Sequence, residues 1–181
     1  MFEVEKFGEE CQAVLGERSP DQAIREIVER AISDPGDVER ALGTPDMARI
    51  DTLHRSDTLT ILNVIWAPGM SIYPHDHRMW AVIGIYGGQE DNTFYRRGPE
   101  GVSEAGGKVL RIKDATPLGK DIIHAVRNPL TQFTGAIHIY GGDFFTVPRS
   151  EFDVETLEER PYDPEKTEKL FREANEGLGR D

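Results

Sequence analysis

Residues 69–88 read GMSIYPHDHRMWAVIGIYGG, and this segment combines strand-forming residues, turn residues and two histidines. The apolar residues on either side of the histidines favour two short strands, and the glycine pair at the end favours a turn. On a strand, residues i and i+2 project from the same face. We therefore predict that His75 and His77 point together into an interior and that Asp76 points away from it.

Short β-rich runs of the same kind surround this segment between residues 46 and 148. Glycine and proline separate the runs at a spacing that favours a sandwich or barrel over alternating strands and helices. We therefore predict a mainly β fold with one small barrel. The predicted strands are Thr58–Trp66, Met70–Tyr73, Ala81–Tyr86, Asn92–Arg97, Lys108–Ile112, Ala125–Arg127 and Thr134–Ile139.

Helical segments are predicted on both sides of the barrel. In residues 1–45, apolar residues recur at steps of three and four, and Ser19-Pro20 predicts the start of a helix. In residues 149–181, Asp163-Pro164 predicts another helix start. Because 181 residues is the length of one ordinary domain, we predict a single domain over residues 1–181.

The charge of the chain argues against several classes of partner. The net charge is −12, whereas residues 46–148 are nearly neutral, with 10 basic and 11 acidic side chains. Since no basic stripe is present, we expect neither nucleic acid nor a membrane as a partner. The single cysteine, Cys11, and an N-terminus without an apolar core favour a cytoplasmic protein. A monomer and a homodimer both remain open.

All five histidines lie in the nearly neutral segment, and one of them follows a turn that contains proline and glycine. This histidine is His124, and Asn128 stands four residues after it. Together with His75 and His77, it would provide three imidazoles for one divalent metal. Imidazole ligands suit iron, zinc, copper and nickel alike, so the residue types leave the metal open.

These histidines lie in two motifs that resemble those of the cupin superfamily. The motifs read Gly69-(x)5-His75-x-His77-(x)3-Ala81-(x)6-Gly88 and Pro117-x-Gly119-(x)4-His124-(x)3-Asn128. Ala81 stands where cupins usually carry a glutamate, and the second motif has two extra residues between its glycine and its histidine. A set of three histidines is the pattern of the cysteine dioxygenase branch. The resemblance implies a double-stranded β-helix, or jelly-roll, barrel that holds Fe(II), with Zn, Ni and Mn as alternatives.

Further residues are similar to the thiol dioxygenase branch. Trp66 stands nine residues before His75, as a tryptophan does in cysteine dioxygenases. Residues 136–140, AIHIY, are similar to the Ser-x-His-x-Tyr motif of that family. The resemblance implies that His138 and Tyr140 line the iron pocket. For His138, a strand histidine satisfied by hydrogen bonds inside the barrel is the alternative.

Three departures from the family concern the pocket. Val82 occupies the position of the cysteine that is crosslinked to the pocket tyrosine, so we expect no thioether. Ala136 replaces the serine that orients the pocket histidine, so this histidine needs another partner or is freer to turn. In cysteine dioxygenases an arginine binds the substrate carboxylate. A count back from His75 without gaps places this arginine at Arg49, and a loop of different length would place it at Arg55.

The resemblance implies an Fe(II)-dependent dioxygenase that oxidises a small thiol, cysteine or a related mercapto compound, to its sulfinic acid with O2. Three neutral histidines leave a metal its full charge, which favours binding of a thiolate. In this hypothesis Tyr140 and His138 are catalytic and Arg49 binds the substrate. For Arg49 and Arg55, surface ion pairs are the alternative. A cupin metalloenzyme of other chemistry and a non-catalytic cupin that binds a metal or a small molecule are the alternatives.

Overall fold

Antiparallel strands make up most of the chain in the computed structural model, which describes residues 1–179. None of its helices is both long enough and apolar enough to cross a membrane. The strands are β1 (Arg49–Arg55), β2 (Thr60–Trp66), β3 (Ser71–Asp76), β4 (Ala81–Gly87), β5 (Gln89–Gly98), β6 (Gly101–Arg111), β7 (Ala115–Leu118), β8 (Ile123–Arg127), β9 (Thr134–Tyr140), β10 (Ser150–Phe152) and β11 (Glu159–Pro161). The helices are α1 (Val4–Ala13), α2 (Pro20–Ala31), α3 (Pro35–Leu42) and α4 (Pro164–Glu176).

Two antiparallel sheets enclose the interior of the barrel. One sheet has the strand order β1-β2-β9-β4-β7, and the other has the order β11-β10-β3-β8-β5-β6. The chain crosses repeatedly from one sheet to the other, which is the arrangement of a jelly roll, or double-stranded β-helix. The prediction of a mainly β jelly-roll barrel with N-terminal helices and a C-terminal helix is confirmed.

Burial on both faces explains the apolar composition of the five-stranded sheet. Every residue of β9 is buried, because one face lines the barrel and the other lies under the helices. Ile137 and Ile139 belong to a cluster that includes the apolar stripe of α2, whereas Ala136 and Tyr140 belong to the interior cluster. Strand alternation thus turns His138 and Tyr140 inward.

Helix α4 forms one wall of the interior. It begins at Pro164, as predicted, and the side chain of Asp163 accepts hydrogen bonds from the next backbone N–H groups of the helix. Phe171 enters the interior cluster, where its ring centroid lies 5.4 Å from that of Trp66. The amide of Asn175 is hydrogen-bonded to the backbone of the segment before β1, which fixes the other end of α4.

The structure contains strands that the sequence analysis did not predict, namely β1, β7, β10 and β11. The last two lie in the predicted helical tail, where they extend the six-stranded sheet beside β3. They are three residues each, too short to show an alternating pattern. Strand β3 was predicted to end at Tyr73, before a proline, but it continues to Asp76 with an irregular register against β8.

Candidate metal centre

Three histidines converge inside the barrel where β3 and β8 lie side by side. His75 and His124 face each other across the two strands, and His77 follows directly after β3. The Nε2 atom of His77 lies 3.2 Å from Nε2 of His75 and 3.2 Å from Nε2 of His124. All three side chains are buried, and one nitrogen from each lies within 4.8 Å of the others. The structure therefore brings the three predicted ligands together.

Hydrogen bonds on the far side of two rings determine which nitrogen faces this point. Nδ1 of His75 lies 3.0 Å from the backbone carbonyl oxygen of Tyr73, and Nδ1 of His124 lies 2.7 Å from Oδ1 of Asn92. Because both oxygens accept, each Nδ1 donates, and Nε2 of the neutral ring keeps its lone pair. Partners of this kind orient the histidine ligands of metal sites.

Burial keeps the three imidazoles uncharged. Desolvation lowers the pKa of His75 to about 4 and lowers the pKa values of His77 and His124 well below the usual value for histidine. Repulsion between the neighbouring rings lowers the pKa of His77 further. The cluster thus offers converging neutral nitrogen donors and no carboxylate, a set that fits a transition-metal cation.

A cavity of about 40 Å³ adjoins the three histidines. Its walls are mainly aromatic and aliphatic, and they come from both sheets, from α4 and from the loop after β9. The ring centroid of Tyr140 lies 5.0 Å from that of His77 and 4.3 Å from that of Phe144. Since one water needs about 10–15 Å³ of such space, the cavity holds a few waters or a ligand of few heavy atoms.

A buried chain of hydrogen bonds leads from the cavity into the barrel wall. Oε1 of Glu90 accepts from Nε1 of Trp66 at 2.6 Å and lies 3.0 Å from Nε2 of His138. Nδ1 of His138 lies 3.1 Å from the hydroxyl oxygen of Tyr140. When Nε2 of the neutral ring donates to Glu90, Nδ1 accepts from the tyrosine hydroxyl. Burial also raises the pKa of Tyr140, so the phenol keeps its proton.

Glu90 therefore supplies the partner that His138 lacks because position 136 is alanine. Neither Glu90 nor Asn92, which orients His124, was predicted from the sequence. Both residues lie on β5 with side chains buried at alternate positions, beside half-buried neighbours. Buried polar groups require hydrogen-bond partners. Two polar residues on the buried face of one strand could therefore have indicated that they bind other polar side chains inside the barrel.

The structure places Arg49 outside the cavity, in the surface ion pairs that are the alternative to substrate binding. Ile50 lines the cavity, so strand alternation turns Arg49 away from it, and Arg49 forms ion pairs with Asp46 and Asp51. The alternative, Arg55, also lies outside the cavity, where it pairs with an aspartate of the loop after β9. Arg149, which the sequence analysis did not single out, contacts two aromatic residues of the cavity wall instead.

Asp76 points away from the histidines, as the strand pattern predicts. Its carboxylate accepts from the backbone N–H of Ser150 at 2.8 Å and from Nε of Arg78 at 2.7 Å. It also lies 3.2 Å from Nη2 of Arg97, and both arginines pair with Glu159. We call these four charged residues the outer charge network. The network binds the Asp76 carboxylate on the face opposite to the histidine cluster.

The pocket tyrosine has no cysteine beside it. Val82 belongs to the apolar cluster under the helices, on the outer face of β4. The single cysteine, Cys11, is buried in the same cluster, where burial raises its pKa to about 12. The expectation that Tyr140 remains an unmodified phenol therefore agrees with the positions of these residues.

Several solved structures are similar to part of this chain. An RmlC-like cupin family protein with a double-stranded β-helix fold from Methanocaldococcus jannaschii is 8% identical, with a TM-score of 0.47 over 57% of this chain and 86% of that chain. A cupin superfamily protein from Desulfitobacterium hafniense DCB-2 is 18% identical, with a TM-score of 0.45 over 56% of this chain and 83% of that chain.

A third solved structure is recombinant oxalate oxidase in complex with glycolate. It is 15% identical, with a TM-score of 0.45 over 55% of this chain and 53% of that chain. No protein-family model matches the chain. At these identities and TM-scores the function has to be argued from the residues of the site.

Proposed function

We propose that this protein is a mononuclear Fe(II)-dependent dioxygenase that oxidises a small thiol to its sulfinic acid. One observation carries the proposal. Three neutral imidazole nitrogens converge at a buried point with no carboxylate among them, and the hydroxyl of Tyr140 lies beside the same cavity. The resemblance of these residues to the thiol dioxygenase motifs supports iron over zinc, nickel and manganese.

His75, His77 and His124 would hold the metal through their Nε2 atoms. When bound there, Fe(II) would supply the open coordination positions and the redox chemistry by which one O2 adds both of its oxygen atoms to a thiol sulfur. The overall reaction, RSH + O2 → RSO2H, balances without an external reductant. Because the three ligands carry no negative charge, they leave the site strongly attractive to a thiolate.

Tyr140 is placed to orient the reactants through its hydroxyl group. The oxygen of this hydroxyl has lone pairs free beyond its bond to Nδ1 of His138. Glu90 accepts from Nε2 of His138, which holds the imidazole in one orientation and so holds the hydroxyl at the cavity wall. The serine that performs this task in the family is absent, and Glu90 is proposed to take its role from another strand.

The aromatic walls define the size of the substrate. Trp66, Phe144, Tyr162 and Phe171 surround the small cavity and limit the entry of water. A water-poor site strengthens the electrostatic attraction between the bound cation and an anionic sulfur. We therefore propose a thiol of few atoms, such as cysteine or a short mercapto acid, and not a large conjugate.

An aerobic assay with a panel of thiols tests this function. The Fe(II)-loaded protein is mixed with cysteine, cysteamine, 3-mercaptopropionate and a peptide with N-terminal cysteine, while O2 uptake and sulfinate are measured. We expect at least one small thiol to consume one O2 per sulfinate formed. If iron binds at one per chain and no thiol consumes O2, the dioxygenase proposal fails. Tight zinc without turnover would favour a non-catalytic cupin.

A further inference from the structure

One residue of the cavity wall is also exposed to solvent. Ile50 lies on the inner face of β1 and lines the cavity, yet it is 39% exposed. The next residue on the same face of the strand, Thr52, is exposed as well. The other lining residues within residues 1–179 are buried or half-buried. Since β1 is the last strand of its sheet, the cavity reaches solvent at this edge, beside Ile50.

The cavity is too small to enclose a complete thiol of the proposed kind. A space of about 40 Å³ holds about three heavy atoms, at about 10–15 Å³ for each atom the size of a water. A thiol such as 3-mercaptopropionate contains more heavy atoms than that. When its sulfur lies at the three-histidine cluster, the other end of its chain must extend through the opening beside Ile50.

The cavity wall offers no ion-pair partner to a charged substrate group. None of the lining residues within residues 1–179 is an aspartate, a glutamate, a lysine or an arginine. The carboxylate of Glu90 is bound to wall residues from behind, and Arg149 lies behind the rings of Phe144 and Tyr162, in a separate surface pocket. A charged group enclosed in the cavity would therefore lose its water without gaining a partner, which is costly.

Two hydroxyl groups of the wall, those of Thr167 and Tyr162, are already paired. Their oxygen atoms lie 2.6 Å apart, and the hydroxyl oxygen of Tyr73, behind the wall, lies 2.8 Å from that of Thr167. Groups that bind one another do not require a polar group on the chain of the substrate. The remaining wall is aliphatic and aromatic, and it suits the methylene groups next to a sulfur.

We propose that the site recognises a thiol by its sulfur and a short apolar chain, and that the polar end of the thiol stays in solvent beside Ile50. This inference rests on the proposed function, because it places the sulfur at the three-histidine cluster. The site then accepts carboxylate and amide ends alike, since solvent screens a charge at the opening. Ile50 is thereby the specificity residue, and its apolar side chain favours neither sign of charge.

Anaerobic calorimetry with the Fe(II)-loaded protein tests the proposal without turnover. The probes are 3-mercaptopropionate, which has a carboxylate, and 3-mercaptopropanamide, which has a neutral amide on the same chain. We expect the unaltered protein to bind the two with affinities within about threefold of each other. Ile50→Arg should strengthen binding of the carboxylate relative to the amide by about fivefold, and Ile50→Glu should weaken it by about as much.

The matched control is Val109, an apolar strand residue that is also 39% exposed but lies outside the cavity. Val109→Arg and Val109→Glu should leave the ratio of the two affinities unchanged. A larger preference for either probe in the unaltered protein would overturn the proposal, whether or not any variant folds. The same ratio in Ile50→Arg and Ile50→Glu would overturn it as well. Absence of O2 uptake with the expected binding pattern would instead count against the dioxygenase function alone.

Discussion

Along residues 75–78, the side chains that point into the barrel are uncharged and those that point outward are charged, although the two kinds alternate from one residue to the next. His75 and His77 point inward, where desolvation keeps them neutral and their nitrogens meet. Asp76 and Arg78 belong to the outer charge network. Arg78 has a φ of 58°, so the chain turns directly after His77. Because strand alternation turns Asp76 outward, its carboxylate does not reach the metal site. A cation bound there would therefore keep its full charge.

Loss of an inner ligand should have the largest effect. We expect His124→Ala to lower the affinity for Fe(II) by at least about a hundredfold. Substitution of a residue that only orients a ligand typically lowers metal affinity by about 10–100-fold, and loss of the ligand itself should exceed this. Metal content after equilibration with Fe(II), determined by elemental analysis, measures the effect. The fold should persist, because the apolar cluster under the helices does not involve this residue. Full occupancy in the variant would contradict the model of three histidine ligands.

The second effect concerns the buried carboxylate behind the inner face. Glu90→Ala leaves the donors of Trp66 and His138 without an acceptor, which should lower the free energy of unfolding by about 3 kcal/mol. Glu90→Gln keeps an oxygen at the position of Oε1, and its amide nitrogen replaces Oε2, which has no partner within residues 1–179. Glu90→Gln should therefore lower the free energy of unfolding by about 1 kcal/mol. Denaturant unfolding measures both values, and equal losses would contradict the assigned bonds.

Removal of the hydroxyl at the cavity wall should affect turnover more than metal binding. We expect Tyr140→Phe to keep the iron content of the unaltered protein and to lower turnover by about tenfold, equivalent to about 1.4 kcal/mol. The hydroxyl contacts His138 and none of the metal ligands by hydrogen bond. Elemental analysis and the O2 electrode separate the two effects. Loss of iron with unchanged turnover per iron would show that the hydroxyl supports the ligands instead.

The smallest effect on the metal is expected on the outer face. Asp76→Asn should leave the metal content unchanged and lower the free energy of unfolding by about 1 kcal/mol, because Arg78 and Arg97 keep Glu159 as a partner. The side chain of Asp76 is 3% exposed, whereas those of Arg78 and Arg97 are 43% and 41% exposed. Solvent at the arginines therefore screens the attraction that the substitution removes. Loss of the metal in this variant would contradict the claim that the outer face does not contribute to the metal site.

The sequence predicted those parts of the molecule that local pattern determines. The β-barrel, its seven predicted strands and the shared face of His75 and His77 follow from local pattern. The jelly-roll class and the addition of His124 follow from the resemblance to the cupin motifs. The two arginine candidates were not supported, because their positions were carried over by counting along the chain. Side-chain direction on β1 depends on its register with β2, which local composition does not determine.

Glu90 and Arg149 were missed for a related reason. Each contacts residues of the cavity wall from another segment, Glu90 through His138 and Arg149 through Phe144 and Tyr162. Only the folding of β5 and of the segment before β10 into place brings these pairs together. The sequence of β5 can indicate a buried polar face but not its partners, and Arg149 lies in a segment between strands without a periodic pattern.

Isotope labelling tests the central claim most directly. The Fe(II)-loaded protein is supplied with heavy-oxygen O2 in ordinary water and with the best thiol of the panel, and the sulfinate is analysed by mass spectrometry. The account predicts that both sulfinate oxygens come from O2, that none comes from water, and that His124→Ala gives no labelled product. A product with one labelled oxygen, or with oxygen from water, would contradict the assignment as a dioxygenase.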